Sequence, residues 1–371
     1  MSEDAAPQPE RLEGAPHPRD TARLIGQDAA QQVFVDAFNT GRLHHAWMLT
    51  GPRGVGKATL AWQIARFLLA TPAPDPDAMF ADPPPETLDI PADHPVSLRI
   101  ASGGEGRIRN VTRTINPDTK KVRAVISVDN IRTLNEFFHL SSPDGGYRVV
   151  IIDDADQMNP QAANALLKIL EEPPAKTLLI LISHQPSGLL PTIRSRCRTL
   201  PLRTLDAGEV AEAMAQANVQ AANTDALAAL SGGSVGGAMR LSLLGGAALY
   251  AELVSLLGTL PRMDRARALK LAELAAARGG EAKRDLLFTL VDLLLSRLAR
   301  TGATGAAPMP QAAPGEAEIL QRLSPDPHQA RIWADLAAQI GARARHGIAV
   351  NLDPAALVLD TFFKMAKAAP R

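Results

Sequence analysis

The chain has 371 residues, 46% of them hydrophobic but only 4% aromatic, with 39 Lys and Arg balanced by 39 Asp and Glu. That length and apolar content suit two or three domains with cores of Leu, Ala, Val and Ile, while zero net charge excludes any global attraction to nucleic acid. The single cysteine, Cys197, excludes an internal disulfide and any multi-cysteine zinc site within the chain, and no apolar run reaches the length of a membrane span.

Residues 1–20 are Pro-rich with no apolar signal-peptide region, and read as a disordered tail of a cytoplasmic protein. After Ile25-Gly-Gln27 an amphipathic helix is expected over Asp28 to Asn39, then a short buried strand at Ala46 to Leu49. The next segment, Gly51-Pro-Arg-Gly-Val-Gly-Lys57-Ala58, has the spacing G-x-x-x-x-G-K of a phosphate-binding loop. Its glycines turn backbone N–H groups toward a phosphate and its lysine adds positive charge. The helical pattern Thr59 to Ala70 follows, so the loop stands in the strand–loop–helix setting the motif requires. Gly51, Gly54, Gly56, Lys57, Ala58 and Thr59 are therefore candidate nucleotide contacts. Ala58 stands where Ser or Thr would ligate Mg²⁺, which points to nucleotide binding without efficient hydrolysis.

Residues 71–95, rich in Pro, Asp and Ala, read as an irregular insertion. Alternating apolar residues from Arg99 to Val125, with a turn at Asn116-Pro-Asp118, predict a hairpin. Its basic run Lys120 to Arg123 reads as a solvated tip, with DNA contact as the alternative. A helix over Val128 to Leu140 and a loop at Ser142 to Gly146 lead to Tyr147-Arg-Val-Val-Ile-Ile-Asp153-Asp154-Ala-Asp156. Apolar β-formers ending in acids describe a buried parallel strand that delivers carboxylates to its C-terminal edge. In a nucleotide site Asp153 would hold Mg²⁺ through water and Asp154 would stand in the water-activating position, one methylene short of the usual glutamate. The alternative is an acidic N-cap for the helix beginning near Pro160.

Asn164-Ala-Leu-Leu-Lys168-Ile-Leu-Glu171-Glu172-Pro-Pro is a helix stopped by two prolines. Leu178 to Ser183 is another buried strand, with Ser183-His184 a polar pair at its end, and Thr192-Ile-Arg194-Ser195-Arg196-Cys197 opens into a short strand near Leu200. Together, Ile25-Gly-Gln27, the phosphate loop, Asp153-Asp-Ala-Asp156, Asn164 to Pro174 and Ser195-Arg-Cys197 resemble the clamp-loader branch of the AAA+ ATPases over Leu24 to Arg203. The resemblance implies an α/β P-loop core with a parallel sheet at 21–204, a small helical lid at 205–262 and an all-α collar at 263–371 that holds subunits in a ring. It also implies that Arg196 reaches a neighbouring subunit's ATP as an arginine finger. The alternative is that Arg194, Arg196 and Arg198 pair with surface acids.

Three departures favour the non-motor type of subunit over the hydrolysing motor. They are Ala58, Asp154, and Gly233-Ser234-Val235-Gly236 in place of the motor's Gly-Ser-x-Arg, with Arg240 one turn further on. The family's four-cysteine zinc module would fall in 71–125, which has no cysteine, so no zinc is expected. The expected cofactor is weakly held ATP or ADP. The expected partners are other ring subunits, a sliding clamp and primed DNA, with Lys168 and the Lys120 to Arg123 run as candidate DNA contacts. The rest of the chain reads as three short helical patterns from Asp206 to about Leu244, a link at Gly245 to Arg262, and long Leu/Ala helices from Met263 to Thr301. A loop at Gly302 to Glu316 and helices at Pro327 to Ile340 and Asp353 to Ala368 complete it.

Overall fold

A computed structural model describes residues 12, 14–21, 23–72, 83–116, 122–139, 146–220 and 223–370. The turn at Asn116 to Asp118, most of the Lys120 to Arg123 run and the loop before Gly146 lie outside or mostly outside the described residues. The chain divides into two compact units. One comprises Met1–Leu205, Gln216–Asn218 and Ser234–Gly236; the other comprises Asp206–Ala215, Val219–Gly233 and Gly237–Arg371.

The first unit is built on a five-stranded parallel sheet. Its strands are β1 (Ala46–Thr50), β2 (Ile108–Val111), β3 (Arg148–Ile152), β4 (Thr177–Ser183) and β5 (Arg198–Pro201), in the order β2-β3-β4-β1-β5. Every residue of β1 and β4 is buried, the pattern of strands covered on both faces. The helices in chain order are α1 (Asp28–Asn39), α2 (Lys57–Ala70), α3 (Pro95–Ala101), α4 (Val128–His139), α5 (Pro160–Glu171) and the single turn α6 (Pro191–Arg194). Side chains alternate across the sheet with period two. Met48, Val150, Ile152, Leu179 and Leu181 join Ile131 and Leu134 of α4 and Leu166 of α5 in one core. Trp47, from the other parity of β1, meets Phe34 of α1 with ring centroids 5.1 Å apart. This is the expected α/β core with a parallel sheet.

Register places the functional edge. Thr50 pairs with Ser183 and with Pro201, and Ile152 pairs with Leu181. The C-terminal ends of β1, β3 and β4 therefore open side by side, which is where ligands bind in open α/β sheets.

The hairpin expected from Arg99 to Val125 is corrected. Arg99 lies on α3, and Ile108–Val111 is an edge strand running parallel to β3. Only the antiparallel bridge between Ile115 and Val122 retains hairpin character among the described residues. An edge strand with one fully buried residue, Val111, gives alternation too weak to reveal its direction.

The regular elements among the described residues of the second unit are all helices: α7 (Ala207–Gln216), α8 (Thr224–Ser231), α9 (Val235–Leu243), α10 (Gly246–Gly258), α11 (Arg265–Ala276), α12 (Glu281–Thr304), α13 (Glu316–Leu323), α14 (Pro327–Ala349) and α15 (Pro354–Ala368). The boundaries with the first unit fall inside α7 and α9. The expected link at Gly245 to Arg262 is instead mostly α10, with Leu249, Tyr250, Leu253, Val254, Leu256 and Leu257 buried. Those positions form a helical stripe, but Ala247, Ala248 and Ala251 on the outer face leave little polar contrast to reveal it in sequence. Helix α13 is an addition, and α14 runs through Gly341 well past Ile340. Long helices α12 and α14 pack together, as do α11 and α15.

A buried polar knot ties this unit. Glu316, fully buried, accepts from Tyr250 Oη at 2.5 Å, from Arg297 Nε at 2.6 Å and from the Ala312 N–H at 2.6 Å. Arg297 also donates to the Pro308 and Pro310 carbonyls, so the ion pair closes the segment between α12 and α13. The carboxylate beside Tyr250 and the burial of its ring push the phenol pKa upward, burial being the larger cause. Among the described residues no single helix is long and apolar enough to cross a membrane.

Candidate nucleotide site

The loop between β1 and α2 has the backbone of a phosphate cradle. Gly51, Gly54 and Gly56 adopt φ of 136°, 74° and 101°, a region open to glycine and costly to other residues. Gly56 is the N-cap of α2, so the free N–H groups of the first helical turn face the loop, with the positive end of the helix dipole behind them. Gln27, 3% exposed, braces this arrangement: its side chain donates to the carbonyls of Val55 and Arg203 and accepts from the Arg203 N–H.

Lys57 is engaged within its own loop. It is 3% exposed, and Nζ donates to the carbonyls of Gly51 at 2.6 Å and Pro52 at 2.5 Å. Burial lowers its pKa to about 8, against the upward pull of Asp153, Asp156 and Asp154. Ala58 and Thr59 sit partly buried on the first turn of α2, and Ala58 brings no hydroxyl.

Ser234 and Gly236 close on the loop from above. Ser234 Oγ donates to the Arg53 carbonyl at 2.8 Å, and the Gly236 N–H donates to the Gly54 carbonyl at 3.0 Å. A Cβ on Gly54 would fall 2.3 Å from Ser234 Oγ, and one on Gly236 would fall 3.0 Å from Gly54 Cα. Position 236, where the motor pattern has arginine, thus has little room for any side chain.

The acidic edge is occupied by cations of the chain itself. Asp154 has a left-handed backbone (φ 56°, ψ 46°), and its carboxylate meets His184 Nε2 at 2.6 Å, Arg113 at 3.2 Å and Arg53 at 3.3 Å. Burial raises its pKa, but the His184 hydrogen bond and the charges of Arg53, His184 and Arg113 outweigh it and hold the carboxyl below its ordinary range. Asp153 Oδ1 accepts from the Asp154 N–H, and Asp156 Oδ1 accepts from the His184 N–H, both at 2.9 Å. Asp153, Asp154 and His184 bring ligand-type atoms within 4.8 Å of one another, yet two arginines already supply positive charge there. The alternative of an acidic N-cap is excluded, because Asn159 caps α5 through the Ala162 N–H at 2.8 Å. Ser183 is fully buried at the end of β4, and its Oγ makes no hydrogen bond among the described residues.

Sequence reasoning thus gathered Gly51, Gly54, Gly56, Lys57, Ala58, Thr59, Asp153, Asp154 and Ser183 onto one sheet edge. It missed Arg53 and Arg113, which balance Asp154. Arg53 lies within the loop motif itself, and Arg113 follows the edge strand β2, whose weak alternation resembles a hairpin arm.

Arg196 lies beyond α6. It pairs with Glu171 at the end of α5 at 3.0 Å and donates to the Thr192 carbonyl at 3.1 Å. Arg198 instead lies over the Trp47 ring, 4.7 Å from its centroid. Burial pushes the Cys197 thiol up to about 12, as suits a packed rather than a reactive cysteine.

Comparison with known proteins converges on the same stretch. Residues 26–206 match the profile of the family described as DNA polymerase III, delta subunit. The chain is 37% identical over 204 residues to DNA polymerase III subunit delta' of Pseudomonas aeruginosa, covering 53% of this chain and 55% of that one. It is 29% identical over 193 residues to subunit delta' of Bacillus subtilis, covering 52% of each. It is 31% identical over 196 residues to subunit gamma/tau of Mycobacterium bovis, covering 51% of this chain and 29% of that one. The match spans about half the length of these delta' relatives and less of the gamma/tau relative. Over residues 26–206, just under half of the chain, the sequence is similar to the family described as DNA polymerase III, delta subunit.

Proposed function

We propose that this chain is a delta'-type, non-motor subunit of a DNA polymerase III clamp loader. It would help a ring of gamma/tau and delta subunits load the sliding clamp onto primed DNA within the larger polymerase assembly. The observation that carries the reading is Asp154: the carboxylate in the water-activating position is held by His184, Arg113 and Arg53. A base so neutralised is a poor activator of water. Lys57 donating to its own loop and the absence of a hydroxyl at Ala58 point the same way.

The fit to nucleotide is split. The glycine backbone and the helix N-terminus suit a phosphate of ATP or ADP, and Gly51, Gly54, Gly56, Lys57 and Thr59 would line it. The donor set suits Mg²⁺ poorly, because the hydroxyl ligand is missing at 58 and arginines crowd Asp154. Arg196, on this reading, is an arginine finger that serves a neighbouring ATPase. Helices within 205–262 would form the lid, and those within 263–371 the oligomerising collar.

The second reading is a gamma/tau-type motor, favoured by the 31% identity to gamma/tau over the same segment. Nucleotide binding and hydrolysis by the purified chain, beside Ala58→Thr, separates the two. The expected outcome is weak or absent binding and no turnover in either protein. Clear turnover by the wild type would establish the motor reading instead.

A further inference from the structure

The arginine beyond α6 has a keeper. Arg196 stands one residue before Cys197, on the bend that follows α6, and its backbone N–H is fixed to the Ile193 carbonyl at 3.1 Å. One terminal nitrogen donates to the Thr192 carbonyl and the other meets a single oxygen of Glu171. Of the five N–H groups of a guanidinium, these contacts engage two, and they use one carboxylate oxygen where a forked pair would use both. The side chains are 37% and 51% exposed, so water competes for both ends.

A carboxylate and a phosphate have the same sign of charge. An arginine shared between the two brings two anions close together, and that repulsion is relieved when the arginine changes partner. We infer that Glu171 is a positioning residue that holds Arg196 in reserve and releases it only to a stronger anion, the terminal phosphate of a neighbouring subunit's nucleoside triphosphate. This inference rests on the arginine-finger reading above. The exposed, single-oxygen pair is strong enough to keep the arginine from weak anions and weak enough for a triphosphate to displace. A diphosphate, lacking the terminal phosphoryl group, offers less charge and leaves the pair closed. Glu171 thereby sharpens the distinction between ATP and ADP at the neighbour's site without touching either.

The test uses the reconstituted complex with a gamma/tau-type ATPase, carrying this chain as wild type, Glu171→Gln, Arg196→Ala or the double variant. Steady-state ATPase yields kcat and KM for ATP and the inhibition constant for ADP. Glu171→Gln is expected to lower KM for ATP roughly two- to fivefold, the factor an exposed ion pair is worth. It should also tighten ADP inhibition and leave kcat unchanged. In the Arg196→Ala background the Glu171→Gln effect should vanish. If Arg196→Ala lowers turnover but Glu171→Gln leaves KM and ADP inhibition unmoved, or raises KM, the reserve role is overturned and the finger stands. If Arg196→Ala itself changes nothing, the finger reading falls and the reserve role falls with it.

Discussion

Asp154 shows how much chemistry one carboxylate can lose to its neighbours. Its left-handed backbone is one that Asn also tolerates, so Asp154→Asn removes charge while sparing the main chain. It leaves Arg53, Arg113 and His184 facing a neutral amide, and a loss of about 1–3 kcal/mol is expected in denaturant unfolding at neutral pH. The sign with pH follows from the depressed folded pKa. The stability from Asp154 is complete above its ordinary value of 3.8 and is lost as pH falls through the lower folded value. The difference between wild type and Asp154→Asn should therefore shrink in acid. Lys57 shares that sign with pH but is a burden at neutral pH rather than a support. Its pKa falls from 10.5 when free to about 8 in the fold, so the unfolded chain binds more protons between those values. Its share of stability is least below pH 8 and rises toward pH 10.5; Lys57→Met should flatten that rise in paired unfolding titrations.

At the scale of elements, caps and buried pairs decide what holds. Asn159 ends the loop after the acids and starts α5, so Asn159→Ala should cost about 1 kcal/mol, read as a lower thermal midpoint. The pair Arg297–Glu316 is far more sensitive. Glu316→Gln would leave a buried guanidinium without its counter-charge, and a cost of about 3–5 kcal/mol is expected from chemical denaturation. These elements also show what the sequence could and could not reveal. Helices α1, α4, α5 and α15 and strands β1, β3 and β4 were legible because each has a strong periodic or continuous apolar pattern with clear stops. Helix α10 escaped because alanines on its exposed face blur the contrast with its buried stripe, and β2 escaped because an edge strand half open to water alternates too little. At the site, the cradle was legible from spacing alone. The partners of Asp154 were not, because Arg53, Arg113 and His184 are brought to it only by the parallel register of the sheet.

At the scale of the molecule, each compact unit has its own core, one around the sheet and one around α12 and α14. Calorimetry of the intact chain should therefore depart from a single two-state transition, with a calorimetric enthalpy above the van't Hoff value. Trp333, fully buried and bonded to the Leu323 carbonyl, offers a lever on one unit. Trp333→Ala should shift the unfolding of the helical unit by about 3–5 kcal/mol. The component assigned to the sheet unit should keep its midpoint.

The close approach of Gly236 to Gly54 bears on which residues such a sequence can carry there. A Cβ at 54 would lie 2.3 Å from Ser234 Oγ and one at 236 would lie 3.0 Å from Gly54 Cα, so a side chain at either position needs its neighbours to shift. An arginine at 236 would press its Cβ on Gly54 Cα, so the phosphate loop would have to give way to admit it. The two glycines thus favour each other: while they touch, the loop and the segment above it fit only with both side chains absent or displaced.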